Sequence, residues 1–122
     1  MLTLAIMKPC NFELFELQAE LCQMMANPKR IAIVEILSHG ECCVGELAES
    51  LSTSISSVSQ HLRTMKDKNV VLNRKDGQTV YYRLKNPKLV EGCHIMRDVL
   101  LEEMESLGRI ARNYDEVTAL SH

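Results

Sequence analysis

Between residues 44 and 84 the spacing of apolar positions changes character twice. Val44, Leu47, Ala48 and Leu51 recur at three and four residues, one face of a helix, and then stop at the small hydroxyl residues around Ser54. Ile55, Val58, Leu62 and Met65 resume the helical spacing. This predicts a second helix with Ser54 as its N-cap, the hydroxyl accepting from the amide of Ser57. The period then falls towards two. Val70-Val71-Leu72-Asn73-Arg74-Lys75 and Thr79-Val80-Tyr81-Tyr82-Arg83-Leu84 flank Asp76-Gly77, a dipeptide suited to a tight turn that needs positive φ. Helix, turn, helix and hairpin describe a winged helix-turn-helix, with the two helices in 44–67 and the wing in 70–84.

The polar side of the second helix carries Ser56, Ser57, Ser59, Gln60, Arg63 and Lys66. Short hydroxyls let a helix approach base edges closely, Gln pairs bidentately with adenine, and Arg does so with guanine. Arg74 and Lys75 stand at the wing tip, where a hairpin beside the groove meets phosphates.

Two further apolar stripes flank this module. Residues 12–26 carry Phe12, Phe15, Leu17, Leu21, Met24 and Met25, and residues 89–114 carry Leu89, Cys93, Met96, Leu100, Met104, Leu107, Ala111 and Tyr114. Pro28 after Asn27 marks the break between the first two helices. At 122 residues the chain makes one domain with a modest core, too small to cover both stripes. A symmetric homodimer through the terminal helices covers them and pairs two recognition helices for a palindromic duplex site. The fold class is mainly α with a β-hairpin wing. The apolar opening Met1 to Met7 is interrupted at Lys8 and Pro9, far short of the ~20 residues of a membrane span, so the expected setting is cytoplasmic, with no membrane partner.

Net charge is −2, which by itself argues against a nucleic-acid partner. Its distribution reverses that: residues 54–88 hold eight basic and two acidic side chains, net +6, leaving −8 on the remainder. A basic face on an acidic body suits a selective reader of double-stranded DNA.

Three segments then carry a family resemblance. Met25-Ala26-Asn27-Pro28-Lys29-Arg30-Ile31 resembles the Leu-Ala-Asn-Pro-Thr-Arg-Leu opening of the ArsR family, Val58-Ser59-Gln60-His61-Leu62 resembles its Val-Ser-x-His-Leu recognition-helix signature, and Tyr81-Tyr82-Arg83-Leu84 closes the wing as in family members. The resemblance covers nearly the whole chain. It implies a homodimeric repressor of its own operon that releases DNA when an inducer binds, and it adds His61 to the DNA contacts. The candidate set is Ser54, Ser56, Ser57, Ser59, Gln60, His61, Arg63, Lys66, Arg74 and Lys75.

The family's arsenic motif, Glu-Leu-Cys-Val-Cys-Asp-Leu, becomes Glu41-Cys42-Cys43-Val44-Gly45-Glu46-Leu47. Cys43 matches the first cysteine, Gly45 replaces the second, and Cys42 is an additional thiol. Both thiols fall at a predicted helix start, where the positive helix end lowers thiolate pKa and prepares soft-metal ligands. By resemblance to cadmium and lead sensors, Cys10 in an N-terminal arm is the third ligand. The implied inducer is As(III) or Sb(III), or Cd(II) or Pb(II), with no ion needed for folding. Cys22 is expected in the core, and Cys93 in the terminal-helix seam beside a surface His94. His39, before Gly40, is assigned to capping. The family's zinc-type positions fall on Asn86, Lys88, Val99 and Glu102, of which only the glutamate survives, so zinc sensing there is not expected.

A second class keeps the DNA reader but makes the cysteines a redox or persulfide switch. The family's sulfide-sensing position falls on Glu35, and a Cys42–Cys43 disulfide would close a strained vicinal ring, so Cys10 or Cys93 would supply the second sulfur. A thiol enzyme is not expected: the chain has no Cys-x-x-Cys, no Gly-rich phosphate loop and no nucleophile with a base nearby in sequence.

Overall fold

A computed structural model of the chain describes residues 9–105, together with 108, 113 and 114. It divides into two compact units, Met1–Asn86 and Pro87–His122. The first holds α1 (Pro9–Met25), α2 (Pro28–Leu37), β1 (Cys42–Cys43), α3 (Val44–Ser50), α4 (Ile55–Asp67), β2 (Val71–Asp76) and β3 (Thr79–Leu84); the second holds α5 (Lys88–Met104). Among the described residues no helix is long and apolar enough to cross a membrane.

Local chemistry explains the boundaries. Asn27 caps α2 by accepting from the amides of Lys29 at 2.9 Å and Arg30 at 3.2 Å, and Pro28 occupies the first turn, where its missing N–H costs nothing. Ser54 caps α4 as expected, accepting from the Ser57 amide at 3.1 Å. Asn69, at φ 63°, ends α4 and lets the Val70 amide reach the Met65 carbonyl at 2.8 Å, turning the chain directly into the wing.

The sheet is antiparallel in the order β1-β3-β2. Cys42 pairs with Tyr82 and Cys43 with Tyr81, while β2 runs against β3 from Val71 opposite Leu84 to Asp76 opposite Thr79. Ile33, Val34, Leu37, Leu47, Val58, Leu62, Met65, Val71 and Leu84 make the core on which the helix-turn-helix and wing are mounted, and no described polar side chain is buried.

Several expectations need revision. The wing turn is Gly77-Gln78, one residue later than Asp76-Gly77, because Asp76 still pairs with Thr79 and the positive φ, 65°, falls on Gly77 alone. Ile55 is 60% exposed, not in the core. Cys22 is also exposed, lining a shallow groove with Phe15 and Ala19, because Met24 is the one described α1 side chain that is buried. The last helix stops at Met104, with the Gly108 amide bonded to the Met104 carbonyl at 3.1 Å and Gly108 at φ 73°, the conformation glycine takes at helix ends. Leu107 and Ala111 lie outside the described residues.

Candidate nucleic-acid interface and thiol pair

The outward face of α4 follows from its inward one. With Val58, Leu62 and Met65 buried, the helical rotation of about 100° per residue turns Ser56, Gln60 and Arg63 away from the core, and all three are exposed. Lys66 is exposed further along, whereas Ser57 and Ser59 are half-buried. The exposed Ser54 already uses its hydroxyl as the cap. The structure therefore brings Ser56, Gln60 and Arg63 together on the open side of the helix.

His61 is placed differently from its neighbour Gln60. It is half-buried, and its Nδ1 accepts from the Arg30 Nε at 3.2 Å, while the Arg30 Nη1 donates to the Met24 carbonyl at 3.0 Å. Burial first, then the Arg30 and Lys29 charges, hold His61 below the ordinary histidine range, favouring the neutral acceptor that this bond requires. His61 thus ties α4 to α2 and the end of α1.

Arg74 is also engaged within the protein. Its Nε donates to Glu41 Oε2 at 2.9 Å and its Nη2 to Oε1 at 2.7 Å, a bidentate pair, and the guanidinium lies 4.6 Å from the Tyr81 ring centroid. The hydrogen bond from Arg74 is the main reason the Glu41 carboxyl sits below its ordinary range. Lys75, next to it, is exposed at the wing tip. Arg30 and Glu41 both lie in segments that carry the family resemblance, but the sequence assigned neither a role, because their partners stand 31 and 33 positions away.

The thiol pair departs most from expectation. Cys42 and Cys43 are successive residues of strand β1, so their side chains leave on opposite faces of the sheet and do not converge as a chelate. Burial, followed by the charges of Glu46, Cys43 and Glu41, pushes the Cys42 thiol up, opposite to the lowering expected of a helix start. Glu46, in the first turn of α3, accepts from the Cys43 amide at 3.0 Å and places a carboxylate at that helix end. Among the described residues no three His, Cys, Asp or Glu side chains are grouped to hold a metal ion. Cys42 and Cys43 by themselves leave a three-coordinate soft ion short of a third donor. Cys10 belongs to the first turn of α1, not to an extended arm. On α5, Cys93 is half-buried and His94 exposed.

Residues 27–72, from the cap of α2 to the start of the wing, match the family described as "Bacterial regulatory protein, arsR family". Over 105 residues the chain is 31% identical to the nodulation protein NolR of Rhizobium meliloti, covering 86% of each protein. It is 33% identical over 100 residues to the arsenical resistance operon repressor of Escherichia coli, covering 81% of this chain and 86% of that one. The chain belongs to the ArsR family. The crystal structure of Mycobacterium tuberculosis Rv0081 superposes with a TM-score of 0.69 at 31% identity, covering 82% of this chain and 97% of that one. As an ArsR-family protein the chain is a winged helix-turn-helix, DNA-binding transcriptional repressor, and family membership does not specify its inducer.

Proposed function

We propose that this repressor works as a homodimer that lays α4 in the major groove of a palindromic operator, with Ser56, Gln60 and Arg63 on base edges and Lys75 on phosphate. The observation that carries this reading is the capped α4, which rests its Val58, Leu62 and Met65 face on the core and leaves those three polar side chains exposed. The exposed apolar faces of α1 (Phe12, Leu14, Phe15, Leu17) and of α5 (Ile95, Met96, Val99, Leu100) support pairing with a second copy. Glu41 holds Arg74, so that side chain reaches phosphate only when the pair opens. Ser54, Ser57 and His61 support the helix, and Ser59 and Lys66 flank the reading face.

Operator release is assigned to the thiols of β1. A strand bonded to the wing strand β3 is well placed to pass a chemical change at Cys42 or Cys43 to the DNA-facing hairpin. The E. coli relative is named for arsenical resistance, which supports As(III) or Sb(III) as inducer. Cd(II) or Pb(II) is the other soft-ion candidate, with Cys10 as a further donor to Cys42 and Cys43. The divergent side chains of Cys42 and Cys43 favour a second reading, in which one sulfur is oxidised or persulfidated.

Fluorescence anisotropy of the reduced protein on its upstream DNA tests both levels. Specific binding that loses sequence preference in Gln60→Ala supports the DNA reading, and equal affinity for all duplexes overturns it. Titration with arsenite, antimonite, cadmium, lead and a persulfide donor then assigns the inducer, and release unchanged in both Cys42→Ser and Cys43→Ser removes these thiols from the switch.

A further inference from the structure

We propose that Ile55 is a specificity residue that reads the C5-methyl group of a thymine in each operator half-site, an inference that rests on the DNA-reading function proposed above. Ile55 is the first residue of α4 and is 60% exposed, whereas Val58 and Leu62, three and seven positions later on the same row, are fully buried. The apolar row therefore overhangs the core by one residue, and the overhang falls at the end of the helix that approaches base edges in a helix-turn-helix.

The other side chains of this turn narrow the choice. The Ser54 hydroxyl is occupied by the Ser57 amide and Ser57 is half-buried, which leaves Ile55 and Ser56 as the exposed first-turn side chains. Isoleucine offers no hydrogen bond. In the major groove its matching partner is the thymine methyl, the apolar feature among the base edges. Because Ile is β-branched, a helix holds it close to one χ1 rotamer, so its methyl groups are presented at little entropic cost.

The test uses an operator selected by the wild-type protein from a randomised duplex library, with each thymine then replaced singly by deoxyuridine, which lacks only the methyl. One position per half-site should weaken binding about fourfold, the factor for burying one methyl-sized group, and replacing both should weaken it about fifteenfold. Ile55→Ser should bind deoxyuridine and thymine equally at that position while keeping wild-type preferences elsewhere. Ile55→Val should retain the discrimination. Indifference of the wild type to every replacement, an unchanged thymine preference in Ile55→Ser, or loss of dimerisation in that variant would each overturn the assignment. Failure of the wild type to select any sequence would instead overturn the DNA-reading function beneath it.

Discussion

Replacing Glu41 by Gln should tighten DNA binding and make it more sensitive to salt, through a residue that is not itself expected to touch DNA. Glu41 holds the Arg74 guanidinium in two hydrogen bonds, at 2.9 and 2.7 Å, and the side chains are 29% and 53% exposed, so the pair stands in water at the edge of the wing. The amide keeps the shape and one acceptor but removes the charge. Arg74 is then available to a phosphate beside Lys75. Each added phosphate contact steepens the slope of log K against log salt by about 0.9, so two wings add about 1.8, a further loss of about twelvefold between 50 and 200 mM salt. Anisotropy titrations across that range measure the slope directly. Arg74→Ala added to Glu41→Gln should return the slope to the wild-type value, which separates a new contact from mere removal of a negative charge. Equal slopes for Glu41→Gln and Glu41→Gln/Arg74→Ala would refute the reasoning, because Arg74 would then make no phosphate contact when released.

Other consequences are simpler to check. Lys75→Ala should weaken binding to all duplexes alike and lower the salt slope by about one unit per protomer; an unchanged slope would exclude Lys75 from the phosphate contacts. Leu62 is fully buried at the centre of the α4 face, so Leu62→Ala should cost about 2–5 kcal/mol in urea unfolding, and a cost near zero would contradict its packing. Ser54→Ala removes the acceptor of the Ser57 amide and should cost about 0.5–2 kcal/mol, with Ser54→Asp recovering most of it. The folded protein holds His61 below its ordinary pKa, so on acidification the unfolded chain takes up this proton first. His61 should therefore cost stability as pH falls through about 6.5 and add no further loss below its folded pKa. His61→Asn keeps an acceptor for Arg30 without titrating, and an unchanged pH profile in that variant would show that the slope arises elsewhere.

What could be read directly from the residue order was local. Helical spacing at Val58, Leu62 and Met65, the Ser54 cap and a glycine in the wing turn each depend on neighbours within a few positions, so the periodicity alone located the helix-turn-helix, the wing and the Ser56, Gln60 and Arg63 face. Periodicity misjudged Ile55 and the family resemblance misjudged Cys22, because whether an apolar position is covered depends on where the neighbouring element ends, and neither carries that information. Long-range pairing was beyond them altogether. Arg74 meets Glu41 across 33 positions and His61 meets Arg30 across 31, so Arg74, assigned to DNA from its place at the wing tip, and His61, assigned by family resemblance, are each bonded to a partner that folding brings to them. The thiols show the same division. Adjacency in the chain made Cys42 and Cys43 look like a chelate, but pairing with Tyr82 and Tyr81 draws them into an extended strand, and the strand's alternation sends neighbouring side chains to opposite faces.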